Sequence, residues 1–441
     1  MIFRTFLDKK HYIDVVKAEG INLYSKSGKK FIDLTGGITG HAILGWGNKK
    51  VISSIKKQTD KFGHVDYKTF KDHNREELAK LLVSKTRSKL NRVFFVGSSG
   101  SEACEAAIKM SYQYFYDKGH KNKNIFISRK QSYHGSTSQA LSLGDRPNLN
   151  FFKGINNKNV VQISEHNQFR NKKINESDQE YAVRCINELE KAILKIGPER
   201  VCGFVGETVM GGLVGDVPPP KNYWAGIRRV CSKYNVHLIL DEVWCGTGTS
   251  GKIYCIDWDK VNPDFVFIGK TLAAGYGAVS AVITNEKIEN GIKKGQKQVQ
   301  YSNTHQGHSL NVAAALSVQK IIHGKNFLKS VVKKGELIRE MIHSELKNYD
   351  FYLNVRGRGM RNTLEYNCDN KPLFGALIKN RLFNKHQLIV DAKWHRICFP
   401  MSLQIKEKEI IENFEKLFNE FKSIQKEWSS LKKKKIKDFT Y

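Results

Sequence analysis

The stretch VHLILDEV, residues 236–243, decides the fold. An apolar run with no polar alternation ends on two carboxylates, Asp241 and Glu242. A strand of this kind is expected to be covered on both faces, as in a parallel sheet flanked by helices. A carboxylate directly after such a run is costly unless it has a partner, which marks Asp241 either as a satisfied structural acid or as a site residue. Working outward, the pattern recurs in NRVFFVG (91–97), NIFIS (124–128), VCGFVGE (201–207), DFVFIGK (264–270) and VSAVITN (279–285). Most of these runs are separated by helical stretches such as SEACEAAIKMSYQYF (101–115) and YWAGIRRVCSKY (223–234). Strands alternating with helices predict an α/β fold with a mostly parallel, helix-covered sheet.

The ends of the chain have another texture. INLYSKSGKKFIDL (21–34) alternates like a hairpin around Ser27-Gly28, and VISSIKKQTDKF (51–62) then turns helical. After LNVAAALSVQKIIHG (310–324) come shorter strands, DFYLNV, RNTLEYN, HQLIVD and HRICFP, and a closing amphipathic helix, EKEIIENFEKLFNEFKSI (407–424). These predict a smaller α+β domain, built from residues 1–46 and 323–441, beside a large domain over 47–322.

Composition limits the rest. The 441 residues are 40% hydrophobic, enough for a real core and too much for a disordered chain. No apolar run reaches the roughly 20 residues of a membrane span, and the opening MIFRTFLDKKHYIDVV lacks a secretory apolar core. Eight scattered cysteines without a C-x-x-C pair argue for reduced thiols rather than disulfides or zinc, so the expected compartment is the cytoplasm. Lys and Arg number 73 against 43 Asp and Glu, a net charge of +30. The positive residues are spread thinly, apart from the run Lys432–Lys435, and match no nucleic-acid-binding motif. Spread charge reads as a solvated surface, and nucleic acid is not an expected partner.

Ligands of open α/β sheets gather beyond the carboxyl ends of the strands. Four such ends are polar here. Gly97-Ser98-Ser99-Gly100-Ser101-Glu102 opens a long helix, where small residues and free N–H groups suit a phosphate. Asp241 ends the second. Lys270 ends the third; a desolvated lysine is a nucleophilic amine, whereas most lysines are merely solvated. The fourth is the aromatic-His-Gly turn QSYHGST (131–137). A phosphate cradle, an aromatic plate, a buried carboxylate and a lysine are together what pyridoxal phosphate needs.

With those residues in place, the chain resembles the class III aminotransferases, the ω-amino-acid and amine transaminase group of the type I pyridoxal-phosphate fold. The resemblance runs from GKKFIDLTGG (28–37) to the C-terminal lobe and is densest over VPPPKNYWAGIRRVCSKYNVHLILDEVWCGTGTSGK and PDFVFIGKTLAAGYGAVSAVI. It implies the following roles. Lys270 is similar to the Schiff-base lysine that also shuttles a proton, and Asp241 to the acid paired with the pyridine nitrogen. Val243 and Tyr133 match the residues on the two ring faces, with His134 beside Tyr133. Gly100 and Ser101 match the phosphate cradle, and Glu207 the glutamate near the phenolic side. Thr304, in YSNTHQGHSLN (301–311), resembles the threonine that reaches the phosphate of a neighbouring subunit, implying a homodimer with composite sites. The implied activity moves an amino group from an ω-amino acid or amine to a pyruvate- or 2-oxoglutarate-like acceptor by a ping-pong cycle.

Some positions depart from the family pattern. Glu207-Thr208 stands for Glu-Pro, Gly248-Thr249-Ser250-Gly251 for Gly-Arg-Thr-Gly, and Gly212 for a gating glutamate. In HRICFPMSL, Arg396 is a candidate clamp for a substrate carboxylate, by its two-pronged guanidinium geometry. The same scaffold hosts aminomutases and decarboxylases. A basic nucleic-acid binder without catalysis is the distant rival.

Overall fold

The computed structural model describes residues 12–86 and 89–433. The opening segment to residue 11, and Lys434 and Lys435 of the C-terminal basic run, lie outside the described residues. Contacts divide the chain into two compact units, one over Lys49–Val332, the other made of the segments up to Asn48 and from Lys333.

The second unit begins with β1 (Val15–Glu19), β2 (Asn22–Ser25) and β3 (Lys30–Asp33), paired antiparallel in that order. Gly28 makes the β2–β3 turn at φ +79°, a conformation that costs glycine little.

The larger unit holds β4 (Arg92–Phe95), β5 (Ile125–Arg129), β6 (Val160–Ile163), β7 (Val201–Glu207), β8 (His237–Asp241), β9 (Phe265–Ile268) and β10 (Ala281–Thr284). They form one sheet in the order β4-β10-β9-β8-β7-β5-β6. From β9 through β6 the pairs are parallel, and β10 alone runs antiparallel to both its neighbours. Every residue of β7, β8 and β9 is buried, which is why those segments carry no polar alternation.

Its helices are α1 (Lys49–Thr59), α2 (His73–Ser84), α3 (Gly100–Asp117), α4 (Ser138–Leu143), α5 (Gln168–Asn171), α6 (Asp178–Ile196), α7 (Tyr223–Lys233), α8 (Glu286–Lys294) and α9 (Ser309–Ile322). A reciprocal cap starts α3: the Glu102 N–H donates to Ser99 Oγ at 3.3 Å, and the Ser99 N–H donates to Glu102 Oε2 at 2.9 Å. The small buried residues Ala103, Cys104, Ala106 and Ala107 let α3 lie close across β7 to β10. Larger partners such as Phe115 complete that core, each contributing about 1.5–3 kcal/mol by burial.

The C-terminal part adds α10 (Phe327–Leu346), β11 (Tyr352–Arg358), β12 (Arg361–Tyr366), α11 (Lys371–His386), β13 (Leu388–Ile389), β14 (Asp391–Lys393), β15 (Arg396–Cys398), α12 (Glu407–Lys426) and α13 (Trp428–Leu431). β13 joins β3 in parallel, while β11-β12-β15-β14 form an antiparallel sheet braced by the buried Arg356–Glu365 ion pair. Among the described residues no helix is long and apolar enough to cross a membrane, and none of the eight cysteines forms a disulfide.

Candidate active site

The sheet delivers its polar residues to one edge. Because β4, β5, β7, β8 and β9 point the same way, the Gly97–Ser101 turn, Tyr133-His134, Glu207, Asp241 and Lys270 all lie at or just beyond carboxyl ends.

Asp241, the last residue of β8, is 6% exposed and held from two sides. Its Oδ2 is 2.9 Å from His134 Nδ1, and its Oδ1 accepts the Val243 N–H at 3.0 Å. A carboxylate has roughly four acceptor positions, so both oxygens retain lone pairs for a further donor. Glu207 ends β7, 6% exposed, and burial pushes its carboxyl up to about 7. The Gly211 N–H donates to Glu207 Oε1 at 3.1 Å, and the Arg129 guanidinium donates to the Glu207 carbonyl at 2.5 Å.

Beside these groups lies the start of α3. A Cβ at Gly100 would come within 2.7 Å of a Val243 methyl, so only glycine lets the helix end approach the β8 terminus this closely. Gly135, at φ +144°, meets Ser101 in the same fashion, and the Ser136 N–H donates to Ser101 Oγ at 3.0 Å. Tyr133 is half-buried, with the Arg146 guanidinium 5.0 Å from its ring centre.

Lys270 follows β9 by two residues and is half-buried. Its φ of +33° lies in the left-handed region, strained for a residue with a side chain. Two neighbours hold it there: Gly269 packs 3.3 Å, measured from an added Cβ, from the Gly100 nitrogen, and Thr271 Oγ1 bonds Thr247 Oγ1. Lys270 Nζ lies over the Trp244 ring, 5.1 Å from its centre.

The contacts therefore bring together Gly100, Ser101, Tyr133, His134, Glu207, Asp241, Val243 and Lys270. Thr304 and Arg396 are not among these contacts. Thr304 is exposed, on a loop pinned to the end of β4 by the Gly307 N–H to the Val96 carbonyl (2.9 Å) and by Gln306 Nε2 to the Phe95 carbonyl (2.8 Å). Arg396 is buried on β15, in the other unit. Three further residues join the site without having been marked in the sequence: Trp244, Arg129 and Asp216. Trp244 directly follows Val243 and could have been found from that position. Asp216 and Arg129 give no local signal, since their partners are 28 and 78 residues away.

Two of the departures from the family pattern, Thr208 and Thr249, have physical roles. Thr208 donates its hydroxyl to Glu242 Oε1 at 3.0 Å, and the Cys255 and Ile256 N–H groups donate to the same carboxylate at 2.6 and 2.8 Å. Burial pushes Glu242 up as well. Thr249 turns its hydroxyl onto the Gly246 carbonyl at 3.0 Å.

The residues fit a flat, anionic, ring-bearing cofactor. Two buried polar atoms, His134 Nε2 and Glu207 Oε2, have no hydrogen-bond partner among the described residues. The N-terminus of α3 and its glycines leave backbone donors for a phosphate. Among the described residues no group of three or more His, Cys, Asp or Glu is arranged to hold a metal ion.

The family model for class-III aminotransferases matches residues 6–418, and the chain belongs to that family. It is a pyridoxal-phosphate-dependent transaminase of the type I fold. An uncharacterised aminotransferase of Schizosaccharomyces pombe is 35% identical over 347 residues, covering 78% of this chain and 75% of that protein. Gamma aminobutyrate transaminase 2 of Solanum lycopersicum is 33% identical over 362 residues, covering 80% and 78%. The omega transaminase of Pseudomonas jessenii in complex with PMP superposes with a TM-score of 0.88 at 26% identity, covering 95% of this chain and 94% of that one.

Proposed function

We propose that the protein moves an amino group from an ω-amino acid or amine to a 2-oxo acid of the pyruvate or 2-oxoglutarate type, in two alternating half-reactions. One observation carries the reading: Lys270, Asp241, His134 and Glu207 meet at one sheet edge beside the start of α3. Relatives named gamma aminobutyrate transaminases and omega transaminases favour a donor whose amine is remote from any carboxylate.

Bound at this edge, pyridoxal phosphate supplies an electron-withdrawing ring that weakens the C–H bond beside the substrate's nitrogen. The chain's residues do the rest. Gly100 and Ser101 hold the phosphate with the N–H groups and hydroxyl at the start of α3. Val243 and Tyr133 cover the two ring faces. Asp241, aimed by His134 and by the Val243 N–H, keeps a proton on the ring nitrogen, since a buried anion favours the charged form of its neighbour. Glu207 faces the phenolic oxygen. Lys270 Nζ would hold the cofactor, and its amine would carry the proton as a general base and acid. Thr304 reaches the phosphate held by a second copy of the chain, so the working unit is a homodimer. Arg396 clamps the carboxylate of the substrates that have one.

A panel of amine and ω-amino-acid donors, each paired with pyruvate or 2-oxoglutarate, tests the assignment by product analysis. Equal amounts of new amino acid and of donor-derived aldehyde or ketone are expected. Release of carbon dioxide, or migration of the amino group within a single substrate, would assign another chemistry to the same site.

A further inference from the structure

The turn that follows β7 grips the residue that follows Val243. Met210 and Val217 pair as an antiparallel bridge, closing a loop over Gly211–Asp216. Asp216, fully buried at φ +47°, accepts the indole N–H of Trp244 in a 2.6 Å hydrogen bond. From the other end of the loop, Gly211 lies against the indole: a Cβ there would come 2.8 Å from Trp244 Cδ1. That same Gly211 donates its N–H to Glu207. The indole is thus fixed at its N–H and along one edge, and what it offers to the site is a face. Over that ring, 5.1 Å from its centre, stands Lys270 Nζ.

We propose that Trp244, held by Asp216, is a positioning residue for Lys270: its ring receives the lysine's ammonium group in the half of the cycle when that nitrogen is not joined to the cofactor. This rests on the assignment of Lys270 as the cofactor-holding lysine. An ammonium is attracted to the negative face of an aromatic ring, most strongly to tryptophan and most strongly when water is excluded. Donation of the indole N–H to a carboxylate adds electron density to the ring and strengthens that attraction. The other titratable and charged groups of this edge include Asp216 at the indole N–H, Asp241 and Glu207 at the ends of β8 and β7, Arg129 at the end of β5, Tyr133 and His134 after it, and Glu242 behind Asp241. Of these, Asp241 is engaged by His134 and by the Val243 N–H, and Glu242 by Thr208, Cys255 and Ile256. The ring gives Lys270 a resting place apart from Asp241, so the lysine does not compete for the ring nitrogen's partner.

The test uses enzyme saturated with pyridoxamine phosphate, in which Lys270 carries a free amine, and trace labelling with acetic anhydride followed by peptide mass analysis. The readout is the labelling of Lys270 against pH. Removing the ring in Trp244→Leu takes away the preference for the ammonium form. The half-labelling point should therefore fall by roughly 0.4–1.5 pH units, a rate roughly 3- to 30-fold higher at a pH below the midpoint. Trp244→Phe, which keeps a face but loses the N–H, should recover most of the wild-type profile. Asp216→Asn should shift it in the same direction as Trp244→Leu, by less. Unchanged Lys270 labelling in a folded Trp244→Leu protein overturns the proposal. Should that variant fail to fold, an unchanged profile in Asp216→Asn overturns it equally. A different result separates the underlying assignment from this one: if borohydride fixes the cofactor on another lysine, the assignment of Lys270 fails before Trp244 is tested.

Discussion

Gly100→Ala puts the close approach of α3 to the end of β8 under direct test. An added Cβ would lie 2.7 and 2.8 Å from the two methyl carbons of Val243 and 3.3 Å from its Cβ. Ordinary contact starts near 3.4 Å, so the helix start or Val243 must move by several tenths of an ångström. Overpacking of this kind costs about 1–3 kcal/mol. Movement of α3 draws the phosphate donors away, and movement of Val243 disturbs the ring face, so the cost should appear in cofactor affinity. We expect the Kd for pyridoxamine phosphate to rise about 5- to 140-fold, at about 1.4 kcal/mol per tenfold. Val243→Ala alone deletes two methyl groups, worth about 1.6 kcal/mol of burial, and removes a ring contact. The double variant removes the clash, so it should bind better than the product of the two single effects predicts, with a coupling of at least about 1 kcal/mol. Fluorescence titration of the four proteins gives the cycle. Additivity within about 0.5 kcal/mol would show that Gly100 and Val243 do not constrain each other.

Other predictions concern charge and assembly. Asp241→Asn should leave the fold intact and cut turnover by about 10²–10³ or more, the scale of losing one preorganised electrostatic partner; near-normal turnover would make the carboxylate structural. Folded, Glu207 keeps its proton up to about pH 7, whereas in the unfolded chain it gives the proton up near 4.5, so ionising it in place costs stability as pH rises. The melting temperature of Glu207→Gln relative to wild type should therefore climb between pH 4.5 and about 7, and a flat difference would show that Glu207 is not protonated in the fold. Mixing Lys270→Ala with a bulky Thr304 variant should restore about a quarter of wild-type activity after subunit exchange, because about half the dimers are mixed and each has one good site of two. Exchange verified by mass without recovery would remove Thr304 from the neighbour's site.

The sheet was legible because burial on both faces leaves a mark in sequence: VCGFVGE and HLILD can only be covered strands, and a polar residue that ends one of them stands out. Asp241 and Lys270 were found in that way. What sequence cannot supply is the pairing of residues far apart in the chain. His134 and Asp241 lie 107 residues from each other and meet only because β5 and β8 end at the same edge. Glu242 shows the limit from the other side. Adjacent to Asp241 and also a carboxyl group, it faces away, as successive residues do along an extended chain, and holds the Cys255–Ile256 turn instead. Trp244 carries no signal of its own in the sequence, since an aromatic beside a buried run is equally suited to a core. Only the position of Lys270 Nζ over its ring gives it another meaning.

Reduction of the holoenzyme with borohydride, followed by peptide mapping, bears most directly on the central claim, that Lys270 at the end of β9 holds the cofactor. The account predicts loss of the yellow colour and a single stable pyridoxyl group on Lys270, with no such product in Lys270→Ala. A pyridoxyl group on any other lysine of the folded wild-type enzyme would contradict it.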